Sequence, residues 1–346
     1  MLDFYKGKRV LITGHTGFKG SWLTKILSLA GAQVYGYSLP PEGDENLFDI
    51  SKVDESIESF FGDIRDYDSL KKFFDEAKPE IVFHLAAQPL VRDSYERPRY
   101  TYETNVMGTV NVCECVRMSG TVKSFLNITT DKVYQNNEWE WGYREDEKLD
   151  GYDPYSNSKS CSELVTHSYI NSFFGDLQIA TSTARAGNVI GGGDFAKDRI
   201  VPDLVRACRS GQKITLRNPD STRPYQHVLE ALSAYLLIAE KQYEDPKFAG
   251  FYNVGPNDAD AVTTIKIARL FREKYGEPEI EIKPDGGPHE ANYLKLDCSK
   301  IKSKLGWVPK WDINMAIEKT VEWTKGYLEG RAVEIMEKEI KEHFDD

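Results

Sequence analysis

The sequence predicts an α/β fold, a Rossmann-like doubly wound parallel sheet with a smaller, discontinuous second domain. Three observations predict it. Short apolar runs alternate with helical patterns through the first half of the chain, the signature of parallel strands covered on both faces. A glycine-rich turn, Gly14-His-Thr-Gly17-Phe-Lys-Gly20, follows the first apolar run, Val10-Leu-Ile12, and opens a helical stretch. Such a turn lets the backbone approach a pyrophosphate, whose charge then lies at a helix N-terminus. After Ala186 the alternation loosens, and Gly191-Gly-Gly and Asn218-Pro219 punctuate a segment that reads as inserted above the sheet.

Strands are expected over 9–13, 33–37, 59–61, 81–85, 125–129 and 179–184, each a short apolar or β-branched run bounded by polar or turn residues. Helices are expected between them, over 18–29, 69–76, 100–118 and 155–173, where apolar residues recur at helical spacing. A helix over 227–242 and a strand over 251–254 return to the first domain, and helices over 263–275 and 313–328 belong to the second. The expected division is 1–185 plus 224–257 for the cofactor-binding domain, and 186–223 plus 258–330 for the substrate-binding domain. The tail 331–346, charged and helix-prone, is expected to be peripheral.

At 346 residues the chain can bury one large or two modest cores. Its net charge of -11 argues against non-specific nucleic-acid binding. No apolar run approaches membrane-spanning length and the first residues lack a signal-peptide core, so no membrane association is expected. The five cysteines (Cys113, Cys115, Cys161, Cys208, Cys298) are scattered and odd in number, which fits a reduced, cytoplasmic protein without disulfides or a bound metal.

The glycine turn has a second motif to work with. Tyr155-Ser-Asn-Ser-Lys159 puts a phenol and an ammonium one helical turn apart on one face. A free tyrosine titrates near ~10, too high for an efficient base at neutral pH, and a neighbouring ammonium favours the phenolate. Lys159 is therefore expected to lower the Tyr155 pKa and to hold the ribose of a nicotinamide cofactor. Together the two motifs describe an enzyme that removes a hydroxyl proton while a hydride leaves. A second Tyr-x-x-x-Lys, Tyr67 with Lys71, has no partner motif and reads as an ordinary helix face.

For the cofactor, Gly14, Thr16, Gly17, Phe18 and Gly20 form the turn. Asp63-Ile64 follows the third strand, where Asp63 either binds adenine or caps a turn. Leu85, Ala86 and Ala87 end the fourth strand, where small residues let a cofactor lie close. His84 reads better as a packed strand histidine than as a catalyst, and Asn105 as a polar bridge from a helix to the site. The acidic residue that often grips the ribose about 20 positions past the glycines is missing from Tyr37-Ser-Leu-Pro40, as is any arginine for a 2′-phosphate. NAD is favoured over NADP. Thr130 ends the fifth strand within reach of the same substrate oxygen. Asp131 and Lys132 follow, either as an acid and a base or as a solvated turn.

Several stretches carry a resemblance: Gly14-His-Thr-Gly-Phe-Lys-Gly-Ser-Trp22, Ala87-Gln-Pro-Leu-Val-Arg92, Trp139-Glu-Trp-Gly-Tyr143, Gly151-Tyr-Asp-Pro-Tyr-Ser-Asn-Ser-Lys159, 184–194, 223–230 and 289–297. The arrangement resembles the extended short-chain dehydrogenase/reductases, which include nucleotide-sugar epimerases and dehydratases, and within them the CDP-glucose 4,6-dehydratase family. The resemblance implies a lyase that oxidises C4 of CDP-glucose transiently, eliminates water across C5 and C6, and returns the hydride to C6. It implies Tyr155 as the O4 base, with Asp131 protonating the departing C6 oxygen. Related dTDP-glucose dehydratases have Asp-Glu where this chain has Asp131-Lys132, so Lys132 as the C5 base requires a strongly lowered pKa. The resemblance also implies a bacterial surface polysaccharide (an O-antigen or lipopolysaccharide) as the destination, and a homodimer or homotetramer built through the helices over 100–118 and 155–173.

Asn188, Arg199, Arg217 and Arg223 lie in the overlying segment as candidates for the substrate diphosphate, with two of the four expected to be surface residues. Asn188 and Arg223 match family positions. Gln88 is a further substrate candidate. His289, Glu290 and Tyr293 either close over the nucleotide or stabilise a turn, and Arg92 is a gate or an interface residue. The departure from Asp-Glu weakens the alternative of a dTDP-glucose or GDP-mannose 4,6-dehydratase. The other rivals are a 4-epimerase or reductase, which needs no acid at C6, and a silent cofactor-sensing protein, which would have no use for the Tyr155–Lys159 pair.

Overall fold

The computed structural model describes residues 1–276, 278–283 and 293–345. Strand β1 (Arg9–Thr13) leads through the glycine turn into helix α1 (Phe18–Leu29). In chain order there follow β2 (Gln33–Ser38), β3 (Glu58–Phe61), α2 (Tyr67–Ala77), β4 (Ile81–His84), α3 (Gly108–Ser119), β5 (Ser124–Thr130), α4 (Pro154–Tyr169) and β6 (Ala180–Ala186). Beyond these lie α5 (Ile200–Ser210), α6 (Val228–Glu244), β7 (Phe251–Val254), α7 (Thr264–Tyr275), α8 (Ile313–Leu328) and α9 (Ala332–Phe344).

The seven strands form one parallel sheet in the order β7-β6-β5-β4-β1-β2-β3. Strand order reverses between β1 and β4, and a doubly wound sheet opens a ligand crevice at that point, beyond the carboxyl ends of its strands. One core under the sheet joins α1, α6 and the C-terminal helices, and the other joins α2 and α3. The inner strands β4, β5 and β6 are buried residue by residue because both faces of the sheet are covered. Strand β3 at the edge is exposed along its length.

A third core holds the second unit, with α5, α7 and α8 around Leu204, Ile267, Phe271 and Ile317. Short strands stitch it together. Residues 222–224 pair antiparallel with 261–263, and 214–216 pair with 280–282. Because β7 pairs with β6 through Phe251–Thr183 to Val254–Ala186, this unit is hung on the sheet by chain entering and leaving near one edge.

The structure corrects two expectations. The helix expected over 100–118 is three pieces: a short helix at Pro98–Tyr102, a π-helical turn at Glu103–Met107, and α3. The wide turn carries Asn105, whose side chain is turned inward. The tail is not peripheral: Ile335, Met336 and Ile340 are at most 4% exposed and belong to the main core. The charged residues of α9 mask this apolar stripe in the sequence, and each buried side chain contributes roughly 2 kcal/mol.

Candidate active site

The floor of the site is built from the carboxyl ends of β1, β4 and β5 and the start of α4. Gly14 has a left-handed backbone (φ +81°), and a Cβ there would lie 2.7 Å from the Ala86 nitrogen. A Cβ on Gly20 would lie 2.0 Å from the Gly14 carbonyl, so the turn and the first turn of α1 can pack only as glycines. Gly17 precedes α1, and no side chain caps that helix. Its first amides are thus left to an anion, which is what a dinucleotide pyrophosphate supplies. The Thr16 hydroxyl ties the turn to the end of β2, bonding Ser38 Oγ at 2.8 Å and the Leu39 carbonyl at 2.9 Å. Leu85 and Ala86 donate to the Thr13 carbonyl (3.0 Å) and hydroxyl (3.3 Å). Ala87 follows, so the ends of β1 and β4 stay side by side. The residues present fit NAD.

Helix α4 starts at Pro154, and Asp153 caps it by accepting from the Ser156 amide at 3.0 Å. The cap places Tyr155 in the first turn, its amide donating to Ser94 Oγ at 3.1 Å. One turn on, Lys159 donates to the Ile128 carbonyl at 3.1 Å. Another turn on, buried Glu163 receives a two-pronged bond from Arg185 of β6 (3.0 and 2.9 Å) and a third from Thr183 at 2.7 Å. Burial alone would raise the Glu163 carboxyl; the Arg185 guanidinium and the bonds to it hold it at about 2. This pair clamps α4 to the sheet.

The phenol is not lowered as the sequence suggests. Burial pushes Tyr155 up to about 12, against a hydrogen bond with Thr130 and the Arg199 charge. Lys159 is itself pulled down to about 7 by burial and by the Lys19 charge, and its ammonium is engaged by a carbonyl. Asp131 is 2% exposed, and burial raises its carboxyl against the pull of Lys132, Thr130 and Arg223. Thr130 Oγ1 donates to Asp131 Oδ1 at 3.0 Å. A carboxyl so placed can hold a proton and deliver it.

Above the floor opens a cleft of about 590 Å3. Phe18, Lys19, Thr130, Asp131, Lys132 and Tyr155 line it from the sheet side, and Arg92, Asn188, Arg199, Arg217 and Arg223 from the other. All four polar candidates of the overlying segment thus face the cleft. Arg199 pairs with Asp194 at 3.1 Å and Arg217 with Asp198 at 2.9 Å, while Arg92 approaches the same Asp198 at 3.9 Å.

Other candidates lie elsewhere. Asn105 is 1% exposed and spends its amide on the Gln88 backbone (2.8 and 3.1 Å) and on Ser158 Oγ (2.9 Å), so it joins the β4 exit to α4. Gln88 is likewise turned inward, its side chain donating to the Leu90 carbonyl and Thr101 Oγ1. Asp63 takes the turn-forming alternative, gripping Arg65 at 2.6 Å and accepting from its amide at 2.9 Å. Ile64 packs in the core against Gly108. His84 is bonded on both ring nitrogens, to Thr13 and Thr109. Tyr293 bridges to Thr222 beside the Arg223 strand, outside the residues that line the cleft. His289 and Glu290 lie outside the described residues.

Sequence reasoning missed three groups. Lys19 sat inside the quoted glycine motif and Asp194 inside the quoted glycine run. Glu163 and Arg185 carried the only other signal, charged residues in apolar runs, which buried partners alone can explain.

Across residues 11–320 the chain matches the model of the family described as GDP-mannose 4,6 dehydratase. It belongs to that family. The chain is 48% identical to a CDP-glucose 4,6-dehydratase of Salmonella typhimurium, over 99% of this chain and 98% of the relative. Among solved structures, a UDP-glucose 4-epimerase of Thermus thermophilus in complex with NAD is 26% identical, with a TM-score of 0.81 over 92% of this chain and all but 1% of that one. A dTDP-glucose 4,6-dehydratase of Bacillus anthracis, 21% identical with a TM-score of 0.79 over 93% of this chain and 98% of that one, shares the fold. The doubly wound sheet is therefore the fold of NAD-dependent epimerases and dehydratases. Among the described residues no helix is long and apolar enough to cross a membrane.

Proposed function

We propose that this chain, with NAD, converts CDP-glucose to CDP-4-dehydro-6-deoxyglucose and water. The observation that carries the reading is the shared wall of Tyr155, Thr130 and Asp131: a hydroxyl-proton acceptor beside a buried carboxyl whose pKa is raised. A 4-epimerase needs the first and has no use for the second. The choice of nucleotide and hexose is supported by the 48% identical relative.

NAD, held by the Gly14–Gly20 turn, supplies the hydride acceptor for C4 and the donor for C6. Tyr155 takes the O4 proton, with Thr130 bonded to the phenol so that the proton has a short path. The phenol stands at about 12 in the protein alone, and a cationic ring beside it favours the phenolate. Lys159 holds the cofactor ribose. The resulting 4-ketone acidifies the C5 proton, for which Lys132 on the same wall is the candidate base. Asp131 gives its proton to the departing C6 oxygen. Asn188 and Arg223 hold the diphosphate, with Arg199 and Arg217 released from their carboxylates to share the charge.

The helix pair α3 and α4 carries large apolar side chains at the surface, Met118 (54%) and Leu164 (52%) among them, which supports a homodimer through these helices. A place in the cytoplasm, in the making of an O-antigen sugar, accords with this substrate.

The test incubates the purified protein and NAD with CDP-glucose and follows mass and the nicotinamide absorbance. Loss of one water without net reduced cofactor is expected, and dTDP-glucose serves as the control for nucleotide choice. An unchanged mass with a C4 epimer formed would establish the epimerase instead.

A further inference from the structure

Around Asp131 the protein leaves polar groups unanswered. Asp131 Oδ2 and the Tyr235 hydroxyl are buried, at 2% and 0% residue exposure, and neither has a hydrogen-bond partner among the described residues. Lys19 lines the cleft beside Asp131 and Tyr155, and among the described residues its ammonium makes no hydrogen bond or ion pair. The three groups share one place. Lys19 Nζ stands 5.8 Å from the centre of the Tyr235 ring, and the Asp131 charge acts on both Lys19 and Tyr235. Two buried polar atoms without partners, with an ammonium beside them, mark a spot that a ligand atom completes.

Lys19 is also fixed in direction. It stands in the first turn of α1, between Gly17 and the tightly packed Gly20, with its ammonium over the Tyr235 ring. Burial and the Arg199 charge draw it down to about 8, while Asp131 and Asp194 oppose them. The ammonium form therefore prevails at neutral pH.

We propose that Lys19 is a catalytic residue of the elimination, donating a hydrogen bond to the C6 hydroxyl as that oxygen leaves. This rests on the proposed dehydration, in which Asp131 protonates O6, and on Lys19 and Asp131 lining the same cleft with the Asp131 charge acting on the Lys19 ammonium. In the step the C5–H bond gives its proton to the base and its electron pair to a C5–C6 double bond. The C6–O bond breaks, and O6 departs as water with the Asp131 proton. Lys19 gives up no proton; it stabilises the negative charge that builds on O6 before that proton arrives.

The experiment compares CDP-glucose with CDP-6-deoxyglucose, which can be oxidised at C4 and has no O6 to lose. In Lys19→Met, water loss from CDP-glucose is expected to slow about a hundredfold, the effect of removing one donor from a developing oxyanion. C4 oxidation of the 6-deoxy analogue, read as bound reduced nicotinamide, is expected to be unchanged. Lys19→Arg, which restores a cationic donor, is expected to recover most of the lost rate. Thermal unfolding and bound-cofactor content are read on each variant. If Lys19→Met does not hold its fold or its cofactor, Lys19→Gln keeps a donor of similar reach and is expected to show the same selective loss, reduced to about tenfold.

Equal slowing with both substrates would overturn the proposal, placing Lys19 behind the Tyr155–Lys159 step instead. Undiminished water loss would overturn it as well. A wild-type protein that oxidises the analogue but leaves CDP-glucose intact overturns the dehydratase reading itself and this contact with it, an outcome the variants are not needed to recognise.

Discussion

Glu163 on the floor and Asp198 on the roof each bind an arginine, in opposite surroundings. Glu163 and Arg185 are both 0% exposed and share two parallel hydrogen bonds. Asp198 and Arg217 meet at 2.9 Å with 45% and 29% of their side chains in solvent. The floor is thus a rigid part of the sheet, fixed before any ligand arrives, whereas the Asp198 pairs on the roof are solvated and exchangeable. Catalysis needs reacting groups held to a fraction of an ångström, and a diphosphate needs cations free to change partners. The difference in burial provides both.

That contrast can be broken in order of expected effect. Tyr155→Phe removes the proton acceptor without touching the floor's packing; kcat for CDP-glucose should fall about a thousandfold with Tm unchanged. Retained turnover would mean that the reacting groups lie elsewhere. Arg185→Met leaves Glu163 buried and unpaired, which should cost about 3–5 kcal/mol by urea denaturation. A loss below 1 kcal/mol would show that the clamp on α4 is not made by this pair.

On the roof, Arg223→Ala should raise KM about tenfold or more with kcat nearly kept, the loss of one charged hydrogen bond to the diphosphate. A fall in kcat at constant KM would move Arg223 to the floor's chemistry, next to Asp131. Lys159 gives a pH signature. Its folded value, about 7, lies below its unfolded one near ~10.4, so the unfolded chain binds more protons between them. Its burial therefore costs stability below about pH 7, and the cost fades as pH rises. The Tm of Lys159→Met relative to the parent should fall steadily from pH 7 toward 10; a flat difference would mean that Lys159 is not discharged by its surroundings. Smallest, Asp198→Asn should change stability by less than about 1 kcal/mol, as for other solvated pairs.

Much of the floor was legible in the chain because it is written locally. The Gly14–Gly20 turn, Tyr155 with Lys159 one turn on, and Thr130-Asp131-Lys132 at a strand end are short-range patterns. The structure sets Phe18, Lys19, Thr130, Asp131, Lys132 and Tyr155 on one cleft, with Lys159 one helical turn beyond Tyr155. Asn105 reads in the sequence as a polar bridge from a helix to the site and Gln88 as a polar residue at a strand end. In the structure the Asn105 amide holds the Gln88 backbone, and the Gln88 side chain bonds Leu90 and Thr101. Whether an amide faces a ligand or a neighbouring backbone depends on a π-turn that no local pattern announces. The Asp63 bond to Arg65, two residues on, is likewise set by how the turn after β3 folds. The C-terminal helix was misjudged because its charges outnumber the three apolar residues that seat it.

By itself the sequence determined the alternation of strands and helices, the phosphate-ready turn and the pairing of a phenol with a lysine, because each follows from backbone geometry or helical spacing within a few residues. Tertiary structure alone decided the charges. That Tyr155 and Asp131 are raised, that Lys159 is lowered beside Lys19, and that Glu163 is held down by Arg185 all depend on burial and on partners far away in the chain. Desolvation and Coulomb energy are properties of a place in the fold, and no residue carries them along its chain.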